Sequence, residues 1–170
     1  MDKKQHNIVI VGTGGQGLIT LLKIISEAAF QEGNEVRTSE LHGLSQRGGS
    51  VEVHIRFDKK IYSPLVEKGG ADLVISLEAQ ESLRAIEYSS KNTNYLINNF
   101  FVQIANNPPL PIEQIKKGLK NFSKEIIVSS ASEICKKELG TNVVAGIYLL
   151  GEAVSKGLLP LKKESMSLFI

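Results

Sequence analysis

The chain contains very little cysteine and no long run of apolar residues. Cys135 is the only cysteine among 170 residues, so the chain forms no internal disulfide and cannot build a zinc or iron–sulfur site alone. No apolar stretch reaches the length that spans a bilayer. The start of the chain is polar through Asn7, and Gly12 interrupts the apolar run that follows, so the form of a secretory signal is missing. We therefore expect a cytoplasmic protein that does not bind a membrane.

A strong charge of either sign is missing too. The net charge is +2, and the lysines occur as scattered pairs such as Lys59-Lys60 and Lys136-Lys137, which is not the pattern of a nucleic-acid-binding surface. Hydrophobic residues make up 42% and charged residues 22% of the chain, a mixture typical of globular proteins. This length is enough for one domain with a sizeable core, and we expect residues 1–170 to form a single domain.

The first forty residues predict a β-α-β unit. The run Ile8–Val11 has the continuous apolar character of a strand that is buried on both faces. Apolar residues at helical spacing predict a helix over Leu18–Phe30 that Gly33 ends, and Glu35–Ser39 is typical of a second strand. Such a unit implies a parallel pair of strands with a right-handed crossover.

Residues Ser50–Phe57 alternate between apolar and polar side chains. Glu52, His54 and Arg56 share one side of the predicted strand, which favours an antiparallel or edge strand with one face in water. In this interpretation His54, like His6 near the start of the chain, is a surface histidine. A turn at Asp58-Lys59-Lys60 and a returning strand at 61–64 would follow.

The rest of the chain continues the alternation of strands and helices. We predict strands at 72–77, 95–98 and 125–128, and helices at 78–88, 112–119, 132–139 and 142–156. Together these elements predict a three-layer α/β/α, Rossmann-like domain with a mixed, mostly parallel sheet. The apolar end of the chain, at 162–170, predicts either docking of that segment or a chain shorter than its natural form.

A glycine loop follows the first predicted strand and opens the first helix. Its sequence, Gly12-Thr13-Gly14-Gly15-Gln16-Gly17, matches the G-x-G-x-x-G pattern of dinucleotide-binding domains, with Glu40 as a candidate for the acid expected at the end of the second strand. Two alternatives stay open. Small residues could be needed for a tight strand-to-helix turn, or the exposed amides could meet another subunit.

The richest polar stretch is the candidate segment, residues 40–49. It combines side-chain chemistry with backbone freedom in Glu40, His42, Gly43, Ser45, Gln46, Arg47, Gly48 and Gly49. Arg47 offers a fork of donors to a carboxylate or phosphate, although a polar turn in which it pairs with a nearby acid is the plain alternative. A Ser-His-Glu triad from this segment stays open, but the nucleophile elbow G-x-S-x-G is absent. No metal-ligand spacing occurs, and no catalytic residue can be assigned.

These motifs together resemble one family. The glycine loop, the candidate segment, His54-Ile55-Arg56, Ser63-Pro64-Leu65, Ala71-Asp72 and Asn142-Val143-Val144 are similar to the gamma-type subunit or domain of the 2-oxoacid:ferredoxin oxidoreductases. The form His-Gly-x-Ser-Gln-Arg-Gly-Gly looks most like the beta subunit of indolepyruvate ferredoxin oxidoreductase. The resemblance extends from about residue 7 to about residue 160, and it implies that family members continue through a further C-terminal helix.

The resemblance implies an accessory subunit of a larger enzyme. Such enzymes oxidatively decarboxylate 2-oxoacids with coenzyme A, and they use thiamine diphosphate, Mg²⁺ and iron–sulfur clusters to reduce ferredoxin. One cysteine and no Gly-Asp-Gly segment predict that a partner subunit holds these cofactors and contacts ferredoxin. The sequence does not decide whether the candidate segment meets substrate, coenzyme A or only the partner. Two other hypotheses are a free-standing NAD- or FAD-binding protein and a scaffold without any active-site contact.

Overall fold

A six-stranded mixed sheet forms the centre of the computed structural model, which describes residues 5–42, 48–103 and 108–169. The strands lie in the order β2-β3-β1-β4-β5-β6. Pairing is parallel from β1 through β4 and β5 to β6, and antiparallel on both sides of β3. The bounds are β1 His6–Thr13, β2 Glu35–His42, β3 Ser50–Asp58, β4 Leu73–Ser76, β5 Asn94–Asn98 and β6 Glu125–Ser129.

Helical layers cover both faces of this sheet. The α-helices are α1 Leu18–Gln31, α2 Ile112–Leu119, α3 Ala131–Leu139, α4 Ala145–Ser155 and α5 Lys163–Ser167, and 3₁₀ helices span Gln80–Tyr88 and Lys120–Phe122. One core packs α1, α3, α4 and α5 on the sheet, and a second core packs α2 and the longer 3₁₀ helix on the opposite face. The predicted three-layer α/β/α fold is confirmed. No helix in the described ranges is long and apolar enough to cross a membrane.

The β-α-β unit differs from its prediction in one respect. Strands β1 and β2 run in the same direction, but they are not neighbours, because β3 lies between them and pairs with both. Strands β2 and β3 therefore form an antiparallel pair, and β3 separates β2 from β1. Strand β3 is antiparallel, as predicted, but it lies inside the sheet rather than at its edge.

Two predicted elements take another form. Residues 61–64 form no strand and run as irregular chain beside β3. The helix predicted over 78–88 is a 3₁₀ helix whose Ser82 hydroxyl bonds to the Ala79 carbonyl oxygen at 2.6 Å. At the end of the described chain Met166 is 2% exposed in the first core, whereas Leu168 is 66% exposed, so α5 docks but the residue just beyond it does not.

Candidate functional site

The glycine loop begins inside the sheet. Gly12 and Thr13 extend β1 beyond the predicted run and pair with Val51 and Ser50 of β3. The Gly14 N–H then donates to the Gly49 carbonyl oxygen at 2.9 Å. The glycine loop and the end of the candidate segment are therefore joined by the backbone at the carboxyl edge of β1.

Gln16 closes the loop from within. Its Oε1 accepts the Thr13 N–H at 2.7 Å, and its Nε2 donates to the Leu77 carbonyl oxygen at 3.3 Å. A Cβ atom at Gly12 would lie 2.7 Å from that same Oε1, so only glycine leaves room for the folded Gln16 side chain. The side chain thereby ties the loop to the end of β4.

The last two glycines of the loop adopt the backbone conformations that the turn requires. Gly15 and Gly17 have φ values of 96° and 82°, in the left-handed region that favours glycine. The Gly17 carbonyl oxygen accepts the first helical N–H groups, from Thr20 at 3.0 Å and Leu21 at 3.2 Å. The loop has the geometry of a tight strand-to-helix turn, which is one of the three interpretations that its sequence left open.

A small cleft of about 120 Å³ opens at the carboxyl ends of the parallel strands. Gly15, Gln16, Asn98 and Ser132 are among its lining residues. Asn98 is buried and donates to the Leu77 carbonyl oxygen at 3.1 Å and to Ser132 Oγ at 2.7 Å. Small-molecule pockets enclose about 300–1,000 Å³, so the cleft is too small to enclose a dinucleotide.

The position of Glu40 also differs from that of a ribose-binding acid. Glu40 pairs with Val53 of β3, and Val53 pairs with Ile10 of β1. Glu40 therefore lies two strand spacings, about 9–10 Å, from β1. Along the strands it is level with Ile10, which is two positions before Gly12. A dinucleotide site of the usual form is not supported at this edge.

The structure describes only part of the candidate segment. Glu40 is exposed on edge strand β2, Leu41 beside it is 44% exposed, and His42 ends the strand. Gly48 has a φ of 71°, and Gly49 holds the Gly14 amide. Gly43, Ser45, Gln46, Arg47 and the side chain of His42 lie outside the described residues.

The polar face of β3 is buried, contrary to its prediction. His54 is 0% and Arg56 7% exposed. His54 Nδ1 accepts the Val66 N–H at 3.0 Å, which places the ring hydrogen on Nε2, and Nε2 donates to Glu52 Oε1 at 2.8 Å. The irregular chain after β3 covers this face, so His54 and Arg56 lie inward, and the side chain of Glu52 beside them is 16% exposed.

Tyr88 completes this cluster. Its ring packs edge-on against His54 with 4.7 Å between ring centres. Burial alone would raise the pKa of Glu52, but hydrogen bonds from His54 and Tyr88 outweigh it and hold that pKa below its ordinary value. Burial, followed by the Glu52 carboxylate, raises the pKa of Tyr88 far above its ordinary value. The cluster keeps one carboxylate charged between two hydrogen-bond donors.

Arg56 orders the chain that covers β3. Its Nη1 donates to the carbonyl oxygens of Ser63 and Leu65 at 3.0 and 2.9 Å, and its Nε donates to Asn7 Oδ1 at 3.0 Å. Two separate motifs of the sequence, His54-Ile55-Arg56 and Ser63-Pro64-Leu65, are thus two sides of one contact. His6 is likewise no surface residue, since its side chain is 16% exposed and its Nδ1 lies 3.7 Å from Asp72 Oδ2.

Glu81 is a residue near the candidate segment that the sequence did not single out. It lies on the 3₁₀ helix, and its Oε1 accepts a hydrogen bond from Ser50 Oγ at 2.9 Å. The two residues are 31 positions apart, and no spacing pattern links them. Only the fold brings this carboxylate to the start of β3.

Comparisons with known proteins agree with the sequence motifs. The family model of pyruvate ferredoxin/flavodoxin oxidoreductase matches residues 7–170. The indolepyruvate oxidoreductase subunit IorB of Archaeoglobus fulgidus is 41% identical over 153 residues, which cover 85% of this chain and 76% of that protein.

Solved structures share the fold at lower identity. The pyruvate oxidoreductase subunit PORC of Thermotoga maritima superposes with a TM-score of 0.69 at 22% identity, over 96% of this chain and 82% of that chain. The 2-oxoglutarate:ferredoxin oxidoreductase of Magnetococcus marinus gives a TM-score of 0.72 at 20% identity, over 99% of this chain but 27% of that chain. The same fold therefore occurs both as a separate chain and as part of a longer one.

Proposed function

The chain belongs to the pyruvate ferredoxin/flavodoxin oxidoreductase family, and from this premise we propose that it is the accessory subunit of an indolepyruvate-type, more broadly arylpyruvate-type, ferredoxin oxidoreductase. Its role as an oxidoreductase subunit follows from the family and from its relatives. The choice of substrate class is supported by one observation above all, the 41% identity to an indolepyruvate oxidoreductase subunit over most of both chains. The free-standing NAD- or FAD-binding alternative receives no support from these relatives.

We propose that a partner subunit holds the cofactors of this enzyme. Thiamine diphosphate with Mg²⁺ would supply the decarboxylation chemistry, iron–sulfur clusters the path of electrons to ferredoxin, and coenzyme A the acyl acceptor. Cys135 is 3% exposed in the first core, where it does not suit cluster ligation. Within residues 5–42, 48–103 and 108–169, no three His, Cys, Asp or Glu side chains are grouped to hold a metal ion.

The candidate segment is proposed as the surface that meets this partner. Leu41, within edge strand β2, and Gly48, shortly before β3, are both exposed. Its return into β3 is fixed by the bond between Gly14 and Gly49, so a rigid base carries a polar, glycine-rich stretch. Polar connecting segments on rigid scaffolds more often serve function than stability. The proposal keeps residues 1–170 as one gamma-type domain and keeps the cytoplasmic location.

Reconstitution tests this function. The purified chain, the thiamine-bearing subunit and their mixture are each supplied with thiamine diphosphate, Mg²⁺, coenzyme A, indolepyruvate and a viologen dye. We expect dye reduction by the mixture and none by this chain alone. Turnover by the chain alone, or a mixture no more active than the thiamine-bearing subunit, would overturn the accessory role. Faster turnover of pyruvate or 2-oxoglutarate than of indolepyruvate would overturn only the substrate class.

A further inference from the structure

The bond between Ser50 and Glu81 lies at the point where the candidate segment enters the sheet. Ser50 is the first residue of β3 and directly follows Gly49. Its hydroxyl donates to Glu81 Oε1 at 2.9 Å, while the neighbouring Gly49 carbonyl oxygen holds the Gly14 N–H at 2.9 Å. One side chain and one backbone bond therefore fix this end of the segment from two directions.

Glu81 is itself held in place by a second carboxylate. The Glu81 N–H donates to Glu78 Oε2 at 2.9 Å, and Glu78 Oε1 accepts the Val102 N–H at 3.2 Å. Glu78 is 3% exposed, so this anchor is rigid. A continuous chain of hydrogen bonds thus links the residues after β5, the 3₁₀ helix and the start of β3.

The surroundings of the second carboxylate oxygen of Glu81, Oε2, make the burial of this side chain unfavourable in free energy. Oε2 is buried and has no hydrogen-bond donor among the described residues; its ion-pair partner, Arg84 Nε, lies 3.5 Å away on a side chain that is 62% exposed. Burial raises the pKa of Glu81 and nearby Glu78 and Glu52 add to the rise, while Ser50 and Arg84 oppose it. An incompletely satisfied carboxylate is a poor source of stability, which favours a role in placing Ser50.

We propose that Glu81 is a positioning residue of the oxidoreductase: through Ser50 it fixes Gly49 and the start of β3 against the glycine loop, and this fixed junction strengthens the binding of the partner subunit. The inference rests on the proposed function. Glu81 affects the binding of the partner indirectly, through Ser50. Loss of the bond loosens Gly49 and Ser50 at the base of the segment, and the cost of ordering these residues again on binding weakens the binding of the partner.

Four variants of the full chain test the proposal by their affinity for the thiamine-bearing subunit. Ser50→Ala and Glu81→Ala each remove the bond, Ser50→Thr keeps a hydroxyl donor, and the double variant removes both groups. We expect about tenfold weaker binding for each alanine variant, as for one lost hydrogen bond. Ser50→Thr restores most of the affinity. The double variant binds no worse than either single one, because both act through one contact.

A second readout uses this chain alone. Hydrogen exchange of the Gly14 amide reports on its bond to Gly49, and we expect it to accelerate several-fold in Ser50→Ala and Glu81→Ala while the Ile10 amide in the centre of the sheet is unchanged. Glu87→Gln, on the same 3₁₀ helix with a 51% exposed side chain, is the matched control and changes neither readout.

The outcomes separate this inference from the proposed function. Unchanged affinity in both alanine variants, or losses that add in the double variant, would overturn the positioning role. If the unaltered chain does not bind the thiamine-bearing subunit, the proposed function fails. The rate of hydrogen exchange at the Gly14 amide then decides whether Glu81 positions the end of the segment. An unchanged rate in both alanine variants overturns that role, and a faster rate supports it.

Discussion

The two faces of β3 are both buried, yet different forces hold them. On one face Val51, Val53, Ile55 and Phe57 pack against α1, where removal of apolar area from water supplies the stability. On the other face Glu52, His54 and Arg56 lie under irregular chain and satisfy one another and the backbone. One strand thus stabilises a core with one set of side chains and orders the irregular chain after it with the other.

The apolar face is expected to give the largest change in stability. Ile55 is 0% exposed and lies between Ile8 and Thr38 of the neighbouring strands. Ile55→Ala should lower the free energy of unfolding by about 3 kcal/mol, because it removes buried methyl and methylene groups and leaves a cavity. Urea denaturation measures this value. A loss below about 1 kcal/mol would show that this face is not the tightly packed one.

The polar face should show a smaller loss for Arg56→Met. Methionine keeps much of the volume but leaves the Ser63 and Leu65 carbonyl oxygens without their donor, which costs about 2 kcal/mol. Arg37, directly opposite on β2 and 51% exposed, is the matched control, and Arg37→Met should change stability by no more than about 0.5 kcal/mol. Equal losses of stability in the two variants would contradict the burial of this face and would support the solvent-exposed face that the sequence predicted.

The charged carboxylate of the polar face predicts a pH-dependent difference. Glu52→Gln should cost about 1 kcal/mol at pH 7, since His54 and Tyr88 then donate to a neutral group. The pKa of Glu52 is lower in the folded state, so its contribution is complete above the ordinary value of 4.5 and is lost as the pH falls through the lowered value.

Paired denaturation curves at pH 7 and pH 3.5 check this sign. The gap between the unaltered chain and Glu52→Gln should narrow at the lower pH. Glu113→Gln, an exposed acid on α2, serves as the control with little gap at either pH. A gap that widens on acidification would contradict the arrangement of donors around Glu52.

The glycine loop, outside both faces, should give an effect as small as that of Glu52→Gln. Gly17 has a φ of 82°, and Gly17→Ala should cost about 1 kcal/mol through backbone strain. Gly151 lies within α4 with open space around it, so Gly151→Ala should instead stabilise the chain by up to about 1 kcal/mol. Melting temperatures of the two variants should move in opposite directions. A shift of the same sign in both would contradict the tight-turn geometry.

Elements with a regular hydrophobic period were predictable from the sequence, and long-range contacts were not. Helical spacing predicted α1 to within one residue and α2 at its observed bounds, because each buries one continuous stripe. Alternation in β3 showed that its faces differ, but not that the polar face is covered, since the covering chain is irregular and has no periodicity. The insertion of β3 between β1 and β2 depends on long-range pairing that no local pattern encodes.

For the candidate site, as for the fold, the sequence predicted the local features but not the long-range contacts. Glycines placed the strand-to-helix turn correctly, but the role of Gln16 as its internal closure needs the carbonyl oxygen of Leu77, which lies 61 residues away. The contact of Ser50 with Glu81 is equally distant in sequence. Local motifs therefore predict a site at the glycine loop and the candidate segment, and only the fold brings Leu77 and Glu81 next to them.

Arg47→Ala tests the central claim that the candidate segment serves assembly rather than the stability of this domain. Its melting curve and its affinity for the thiamine-bearing subunit are measured side by side. We predict a free energy of unfolding within about 0.5 kcal/mol of the unaltered chain and a loss of partner affinity of about thirtyfold, as for an interfacial arginine worth about 2 kcal/mol. A large fall in stability, or intact assembly with full activity, would contradict the account.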